Sequence, residues 1–316
     1  MNKNILVIGG AGYIGSHMVG ALLDEKHNPI VFDNLSTGHK EFVPEGAIFI
    51  QGDLRNIQDV NKALERYSVS VDAVMHFAAS SIVSESMCNP LKYYENNVSA
   101  CINLLKVMVE NKVKKFIFSS TAAVYGEPEN VPIKEEDKTN PTNPYGRSKL
   151  MIENMLKDIA QAHDFSYISL RYFNAAGAHP FGKIGEMHDP ETHLIPNILK
   201  VAKGVKDGLT IFGDKYPTPD GTCIRDYIHV QDLCKAHLLA LKALNNGIKN
   251  EIFNLGNGDG FSVREVVNTA EKITGRQINV KRWVHAVLVI LQDLWQARKG
   301  QRMCWAGIQM QIWKKL

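Results

Sequence analysis

Residues 4–15, NILVIGGAGYIG, carry more structural information than any other stretch of this chain. A short apolar run from Asn4 to Ile8 passes directly into Gly9, Gly10, Gly12 and Gly15, and residues 13–25 then take up helical periodicity. A buried strand, a glycine turn and a helix in that order open a parallel βαβ unit. The glycines satisfy two overlapping spacings, G-x-x-G-x-x-G from Gly9 and G-x-G-x-x-G from Gly10. Such a turn lets backbone approach a pyrophosphate, which the helix amides and the positive helix end then stabilise. Taken alone, the spacing also suits a purely structural turn.

Its surroundings favour the dinucleotide. Asp33 ends the next apolar run, in VFDN, about 20 residues downstream, where a carboxylate accepts both ribose hydroxyls and repels a 2′-phosphate. NAD is therefore expected rather than NADP. Further strands are expected at PIVFDN (29–34), AIFIQGD (47–53), DAVMHFAA (72–79) and KKFIFSS (114–120), with a helix at VSACINLLKVMVENK (98–112). Apolar strands alternating with helices predict an α/β fold, a Rossmann-type doubly wound parallel sheet covered on both faces. Asp53, at the end of the third strand, suits the adenine amine, and a helix-capping aspartate fits it equally well. Past residue 172 turn signals become dense, DKYPTPDG (214–221) being the clearest. The expected organisation is an NAD-binding domain over 1–172 to which later segments add strands, a smaller α/β substrate lobe over 173–281, and an atypical tail over 282–316.

Composition narrows the class. With 316 residues, 45% hydrophobic and 22% charged, the chain is long enough for one large or two modest cores. No run reaches the roughly 18 apolar residues of a membrane span, and MNKNILVIGG lacks a signal-peptide h-region, so a cytoplasmic protein without a membrane partner is expected. The five cysteines, Cys88, Cys101, Cys223, Cys234 and Cys304, form no C-x-x-C pair and read as free thiols. Net charge is +3, but residues 282–316 hold six bases and one acid, leaving 30 bases against 32 acids in the rest. No nucleic-acid surface is expected from that balance. Trp283, Trp295, Trp305 and Trp313 are all the tryptophans of the chain, and all fall in the tail.

NPYGRSK, residues 143–149, puts Pro144 in the first turn of a helix and makes Tyr145 and Lys149 an i, i+4 pair on one face. By itself such a pair is more often solvated. Upstream, however, FSSTAAVYG (118–126) ends a buried strand with the hydroxyls of Ser119, Ser120 and Thr121 at the edge where an open α/β sheet has its crevice. A phenol with a reference pKa near 10 needs about three units, roughly 4 kcal/mol, of phenolate stabilisation to act as a base at neutral pH. A lysine cation and an oxidised nicotinamide nearby supply that kind of stabilisation.

The glycine turn, Asp33, HFAA (76–79), Asn96 and Asn97, SSTAAVYG (119–126), PYGRSK (144–149), LRYFNAAG (170–177) and IFGDKYPTPDGTCIRDYIHVQDL (211–233) together resemble the extended short-chain dehydrogenase/reductase family, in its epimerase branch, over residues 1 to 281. The resemblance implies NAD-dependent interconversion of UDP-glucose and UDP-galactose, by oxidation at C4, rotation of the 4-keto sugar and re-reduction. It implies Tyr145 as the base, Lys149 as the ribose ligand that lowers the tyrosine pKa, and Thr121 as the bridge between phenol and sugar oxygen. The cofactor is implied to lie along Gly9, Gly12, Tyr13, Ile14 and Gly15, then Asp33 and Asn34, Asp53 and Leu54, and Phe77, Ala78 and Ala79. Asn96, Ser119, Tyr145, Lys149 and Tyr172 are implied at its nicotinamide half. Substrate is implied at Thr121, Tyr145, Asn174, His193, Leu194, Phe212 and Arg225. Judged without the family, Arg225 beside Asp226 is a local salt bridge, Asn174 a turn residue and Phe212 core. A homodimer is implied through helices near 95–110 and 148–162.

Other groupings carry less. His188 with His193, and His229 with His237, have no spacing or carboxylate company that favours a metal, so no metal is expected. Cys223 reads as packing. Nucleotide-sugar dehydratases of the family need an Asp-Glu pair after the active-site Thr, and Ala122 and Ala123 stand there. The tail lacks the family's P-R-R-x-G-D-P and V-L-G-W-x-P segments. Reading the third base of each codon with the next two turns Met303 to Ala306 into Val-Leu-Gly, and the same shift over residues 284–292 permits Pro-Arg-Arg-Ala-Gly-Asp-Pro-Ala. A one-base slip near Lys281, natural or a sequencing error, is therefore expected in preference to a genuinely variable C-terminal helix, and with it an enzyme whose substrate-binding end is altered or silent.

Overall fold

The computed structural model describes residues 2–65, 71–128, 131–182, 184–258 and 260–284. The tail from residue 285, on which most of the frame-slip expectation falls, lies outside the described residues. In chain order the first elements are β1 (Asn4–Ile8), α1 (Tyr13–Asp24), β2 (Asn28–Asp33), β3 (Ile48–Gln51), α2 (Ile57–Glu65), β4 (Ala73–His76), α3 (Val83–Cys88) and α4 (Pro90–Tyr93). A π turn (Tyr94–Ser99), α5 (Ala100–Glu110), β5 (Lys115–Thr121), α6 (Pro144–Ala162) and β6 (Ser166–Tyr172) follow. The remainder comprises β7 (Asn174–Ala176), α7 (Leu194–Ala202), β8 (Leu209–Phe212), β9 (Ile224–His229), α8 (Val230–Asn245), β10 (Glu251–Leu255), β11 (Gly260–Ser262), α9 (Val263–Thr274) and β12 (Val280–Val284).

The large sheet has seven strands in the order β10-β6-β5-β4-β1-β2-β3, and every neighbouring pair is parallel. Its strands are apolar on both faces because both faces are covered. On one side Met18 and Leu22 of α1 and Leu233 and Leu241 of α8 pack with Val7, Val31 and Ile117. On the other, Leu104 and Met108 of α5 and Ile152 and Leu156 of α6 pack with Leu6, Ile30 and Phe116. Leu6 and Val7 face opposite layers, as the period-2 geometry of a strand requires. The chain runs outward from β1 through β2 to β3, then restarts on the other side of β1 with β4, β5 and β6. This reversal opens a crevice beyond the carboxyl ends of β1 and β4.

Residues after 172 build two small sheets, β11-β9-β7 and β12-β8, around a core that includes Ile198, Ile211, Val267 and Ile278. They also return to the large sheet: β10 pairs with β6, and α8 shares the α1 core. The backbone of β12 runs parallel to β8 as far as Val284 opposite Phe212. Among the described residues no helix is long and apolar enough to cross a membrane. The expected helix over 98–112 is observed as α5 preceded by a π turn, with α3 and α4 before it. Polar residues with little apolar periodicity, broken at Asn89-Pro90, concealed that region.

Candidate active site

The glycine turn is held tight from behind. A Cβ on Gly9, whose φ is +76°, would lie 2.6 Å from the Ala78 amide nitrogen, and one on Gly15 only 2.1 Å from the Gly9 carbonyl oxygen. Only glycine fits either place. Gly12 is the N-cap of α1, makes no side-chain cap bond and is followed by no acid in the first turn, so the positive helix end is left for an anion. Asp33 is buried beside it. One carboxylate oxygen accepts from the Ala11 amide at 3.0 Å and the other from the Leu35 amide at 2.8 Å. A carboxylate has about four lone-pair sites, so two ribose hydroxyls remain within its capacity. Tyr13 and Ile14 open α1, and the Tyr13 hydroxyl donates to the Gly177 carbonyl at 2.6 Å, joining this turn to the small lobe.

The next positions line the same edge. Asn34 Nδ2 donates to Asp53 at 3.0 Å, and Arg55 clamps both Asp53 oxygens at 3.0 and 2.6 Å. Hydrogen bonds from Arg55 hold the Asp53 carboxyl well below the ordinary range. Sequence reasoning missed Arg55. Leu54 is buried beneath, and Phe77, Ala78 and Ala79 follow β4, with the Phe77 ring 4.9 Å from the His237 ring. Asn96 is half-buried and bonds Asn97 at 3.3 Å. The stronger tie belongs to its neighbour: buried Asn97 accepts from Ser80 N, donates to Ser80 O and reaches Ser148 Oγ at 2.9 Å, joining the loop after β4 to α6.

Tyr145 and Lys149 lie on α6, which starts on a side-chain cap from Asn143 to Gly146 N and on Pro144 at the first position. The Lys149 ammonium is buried, donates to the Ser119 carbonyl at 2.9 Å and stands 6.0 Å from the Tyr145 ring centroid. Burial pushes its pKa down to about 8. Tyr145 is hydrogen-bonded to Thr121, yet burial pushes the phenol up to about 12. The ammonium is spent on a carbonyl rather than the phenol, Thr121 provides the downward influence, and the gap to neutral pH widens to about five units, roughly 7 kcal/mol. Ser119 Oγ meets His237 Nε2 at 3.1 Å, and Tyr172, opposite Thr121 in the sheet, is hydrogen-bonded to Ser119. His237 comes from 118 residues away, and no local pattern marks it.

Behind the pair, Arg171 makes a two-pronged bond to Glu153 at 3.0 and 2.6 Å, and Ser120 Oγ donates to the same carboxylate at 2.5 Å. Arg171 also donates to Tyr125 OH, which bonds Asn254. Glu153 is one helical turn beyond Lys149, so this buried network fixes α6 against β5 and β6.

The expected substrate residues border the small lobe. Asn174 Nδ2 donates to the Asp226 carbonyl at 2.8 Å, and a primary amide retains a second donor after one such bond. Asp226 accepts from the Asn257 and Gly258 amides, and Arg225 Nη1 donates to the Ile224 carbonyl. Phe212, at the end of β8, is 49% exposed and is not core. His193 is the N-cap of α7 and Leu194 its first residue. His193 also supplies a further correction: the carboxylate company missing from the sequence spacing exists in space. Its Nδ1 lies 2.8 Å from Glu186 and 3.3 Å from Glu191, and His188 Nδ1 lies 3.4 and 3.8 Å from the same two groups.

A buried cation, a phenol and a threonine hydroxyl stand along the crevice from a turn shaped for pyrophosphate, and the chain is thereby a dinucleotide-dependent enzyme of the doubly wound α/β class. Residues 5–256 match the NAD dependent epimerase/dehydratase family. This chain belongs to that family, and NAD is its cofactor. A UDP-glucose 4-epimerase of Lacticaseibacillus casei is 52% identical over 274 residues, covering 87% of this chain and 82% of the relative. The crystal structure of UDP-glucose 4-epimerase from Brucella ovis in complex with NAD superposes with a TM-score of 0.87 at 47% identity, over 90% of this chain and 87% of that one. The enzyme from Bifidobacterium longum in complex with NAD+ and UDP gives 0.84 at 37% identity, over 92% and 88%.

Proposed function

We propose that this NAD-dependent epimerase interconverts UDP-glucose and UDP-galactose at C4. NAD, when bound, supplies a hydride acceptor and donor at that carbon and is regenerated in each cycle. Tyr145 takes the proton of the 4-hydroxyl and returns it after the 4-keto sugar has rotated. Thr121 holds the phenol and the sugar oxygen together. Lys149, anchored on the Ser119 carbonyl, places a positive charge beneath the ribose, and the burial of both groups keeps water from the exchanged proton. Asn174 and Arg225 hold the diphosphate, Phe212 lies against the uracil, and His193 and Leu194 border the sugar. The observation that carries this proposal is the Tyr145–Thr121 hydrogen bond beside a Lys149 fixed to β5. Dehydration is disfavoured because Ala122 and Ala123, at the positions where it needs an acid and a base, are buried apolar residues.

An alternative role, NAD binding with impaired or absent turnover, is favoured by the tail, which lacks the second phosphate-binding arginine implied by the resemblance. Losing one charge-assisted phosphate contact costs about 1.5–3 kcal/mol, roughly 10- to 150-fold in affinity. A coupled assay supplied with UDP-galactose separates the two: UDP-glucose release that disappears in Tyr145→Phe supports epimerisation, and no release from NAD-loaded protein supports the silent role. The homodimer is proposed through α5 and α6, which flank a groove lined by Ile102, Leu105, Val109, Met155 and Ile159. Equilibrium sedimentation checks it. The thiols of Cys88, Cys101, Cys223 and Cys234 are free, which fits a reducing cytoplasm.

A further inference from the structure

Between β7 and α7 the segment E-M-H-D-P-E-T-H, residues 186–193, folds four side chains onto one point. We propose that Glu186, His188, Glu191 and His193 form a binding site for one divalent transition-metal ion, zinc being the best match, and that the ion fastens this segment where it enters α7.

The donor set comes first. Two imidazoles and two carboxylates are the nitrogen and oxygen ligands that zinc takes in four-coordinate sites. One ligand atom from each residue can be chosen so that all four lie within 4.8 Å of one another. In a tetrahedral zinc site with bonds of 2.0–2.1 Å, adjacent ligand atoms are about 3.3 Å apart. One oxygen of Glu186 lies 2.8 Å from His193 Nδ1 and 3.4 Å from His188 Nδ1, while Glu191 meets the two rings through its two different oxygens, at 3.3 and 3.8 Å. A bound ion would draw these four groups, now within 4.8 Å of one another, toward that edge length.

His188 Nδ1 is buried, 3.4 Å from Glu186 and 3.8 Å from Glu191. That geometry places a ring nitrogen facing two carboxylates, where a metal-ligating imidazole would stand. The carboxylates themselves are almost wholly withdrawn from water, Glu186 at 8% and Glu191 at 3% side-chain exposure. The two imidazoles already hold the Glu186 carboxyl low against its burial, and a divalent ion would neutralise both carboxylates.

Supporting bonds already aim the ligands. Glu191 accepts from the His193 amide at 2.9 Å and the His188 amide at 3.4 Å, while its main-chain oxygen accepts from Asn197 Nδ2 of α7 at 3.1 Å. Such outer contacts orient metal ligands and sharpen affinity. The Tyr13 ring stands edge-on to His188 at 6.4 Å, so the site lies beside the cofactor turn without using the proposed catalytic pair.

The test uses the full chain, freed of metal by chelator and titrated with ZnCl2 by calorimetry, then with CoCl2 by visible absorption. One zinc per chain is expected, together with the d–d bands of a tetrahedral cobalt site. His188→Gln and Glu191→Gln should each weaken zinc at least 10-fold, and His179→Gln, at the imidazole beside His17, should leave it unchanged. NAD content and far-UV circular dichroism confirm that the variants are folded. Absence of saturable zinc binding, absence of the cobalt bands in the unaltered chain, or zinc affinity in both ligand variants equal to that of the unaltered chain overturns the proposal.

Discussion

Lys149 Nζ donates to the Ser119 main-chain oxygen at 2.9 Å, a bond that ties α6 to the carboxyl end of β5 and keeps a buried ammonium within 6.0 Å of the Tyr145 ring. Burial depresses the ammonium pKa to about 8 from 10.5. The folded chain therefore binds fewer protons than the unfolded one between pH 8 and 10.5, and stability from this group rises with pH across that window. Below pH 8 both states are charged and the penalty of about 3 kcal/mol is fully present. Lys149→Met should flatten the pH 8–10 rise in urea-unfolding free energy of the NAD-free chain. The same variant should lose most turnover. A slope unchanged by the substitution would place the titration elsewhere.

Tyr145→Phe removes the proposed base while leaving the ring that packs edge-on against Tyr93 at 6.5 Å. General acid–base groups contribute about 10²- to 10⁴-fold. The expected result is a loss of that size in kcat, with NAD content and KM for UDP-galactose near those of the unaltered chain. Because the phenol is pushed up to about 12, the parent enzyme has little free phenolate below that pH without its cofactor. A pH–rate profile of NAD-loaded protein should place the limiting basic group far below 12, and the same limiting group persisting in the residual rate of Tyr145→Phe would remove Tyr145 from the role.

Much of this site was legible because it is written in local patterns. The β1 turn announces itself through glycine spacing, Asp33 through its place after β2, and Tyr145 with Lys149 through one helical repeat. These constraints act within a few residues, so a linear reading captures them. The groups it missed meet only after folding: Ser119 with His237 across 118 residues, and Asn97 with Ser148 across 51. The His188–His193 cluster was missed for another reason. Its carboxylates, Glu186 and Glu191, lie in the same short segment, but loop backbone has no fixed period, so E-x-H-x-x-E-x-H predicts no shared face. The helix expected over 98–112 is preceded by a π turn over Tyr94–Ser99, within which Asn97 bonds Ser80, a contact that periodicity does not register.

The Glu153–Arg171 pair is buried at 3% and 4% exposure and supports the helix turn that carries Lys149. Removing one partner of such a pair strands a charge and costs about 3–5 kcal/mol, whereas replacing both with apolar residues is often neutral. Arg171→Met alone should therefore destabilise by that amount in urea unfolding. The double variant Glu153→Met with Arg171→Met should recover a large part of the loss. It should recover turnover less well, since Ser120 also loses its partner on Glu153. If both singles cost under about 1 kcal/mol, the pair does not hold α6 in place.

Acid should unfold this protein through its buried histidines. His76 sits within the sheet between the Phe116 and Phe118 rings, each 5.9 Å away, and its Nδ1 has no hydrogen-bond partner. Burial, and the nearby Lys149 charge, push its pKa down to about 3, while burial pushes His237 down to about 4. Each ring stays neutral in the folded chain below pH 6.5 while the unfolded chain takes up a proton. Stability is therefore lost as pH falls from 6.5, by up to about 1.4 kcal/mol per pH unit for each group, until the folded pKa is reached. His76→Phe keeps the aromatic packing and removes one of these protons. The slope of unfolding free energy against pH between 6 and 4 should fall by close to one proton in that variant, whatever its stability at pH 7. A slope equal to that of the unaltered chain would show that His76 is already protonated when folded, or that the acid limb belongs to other groups.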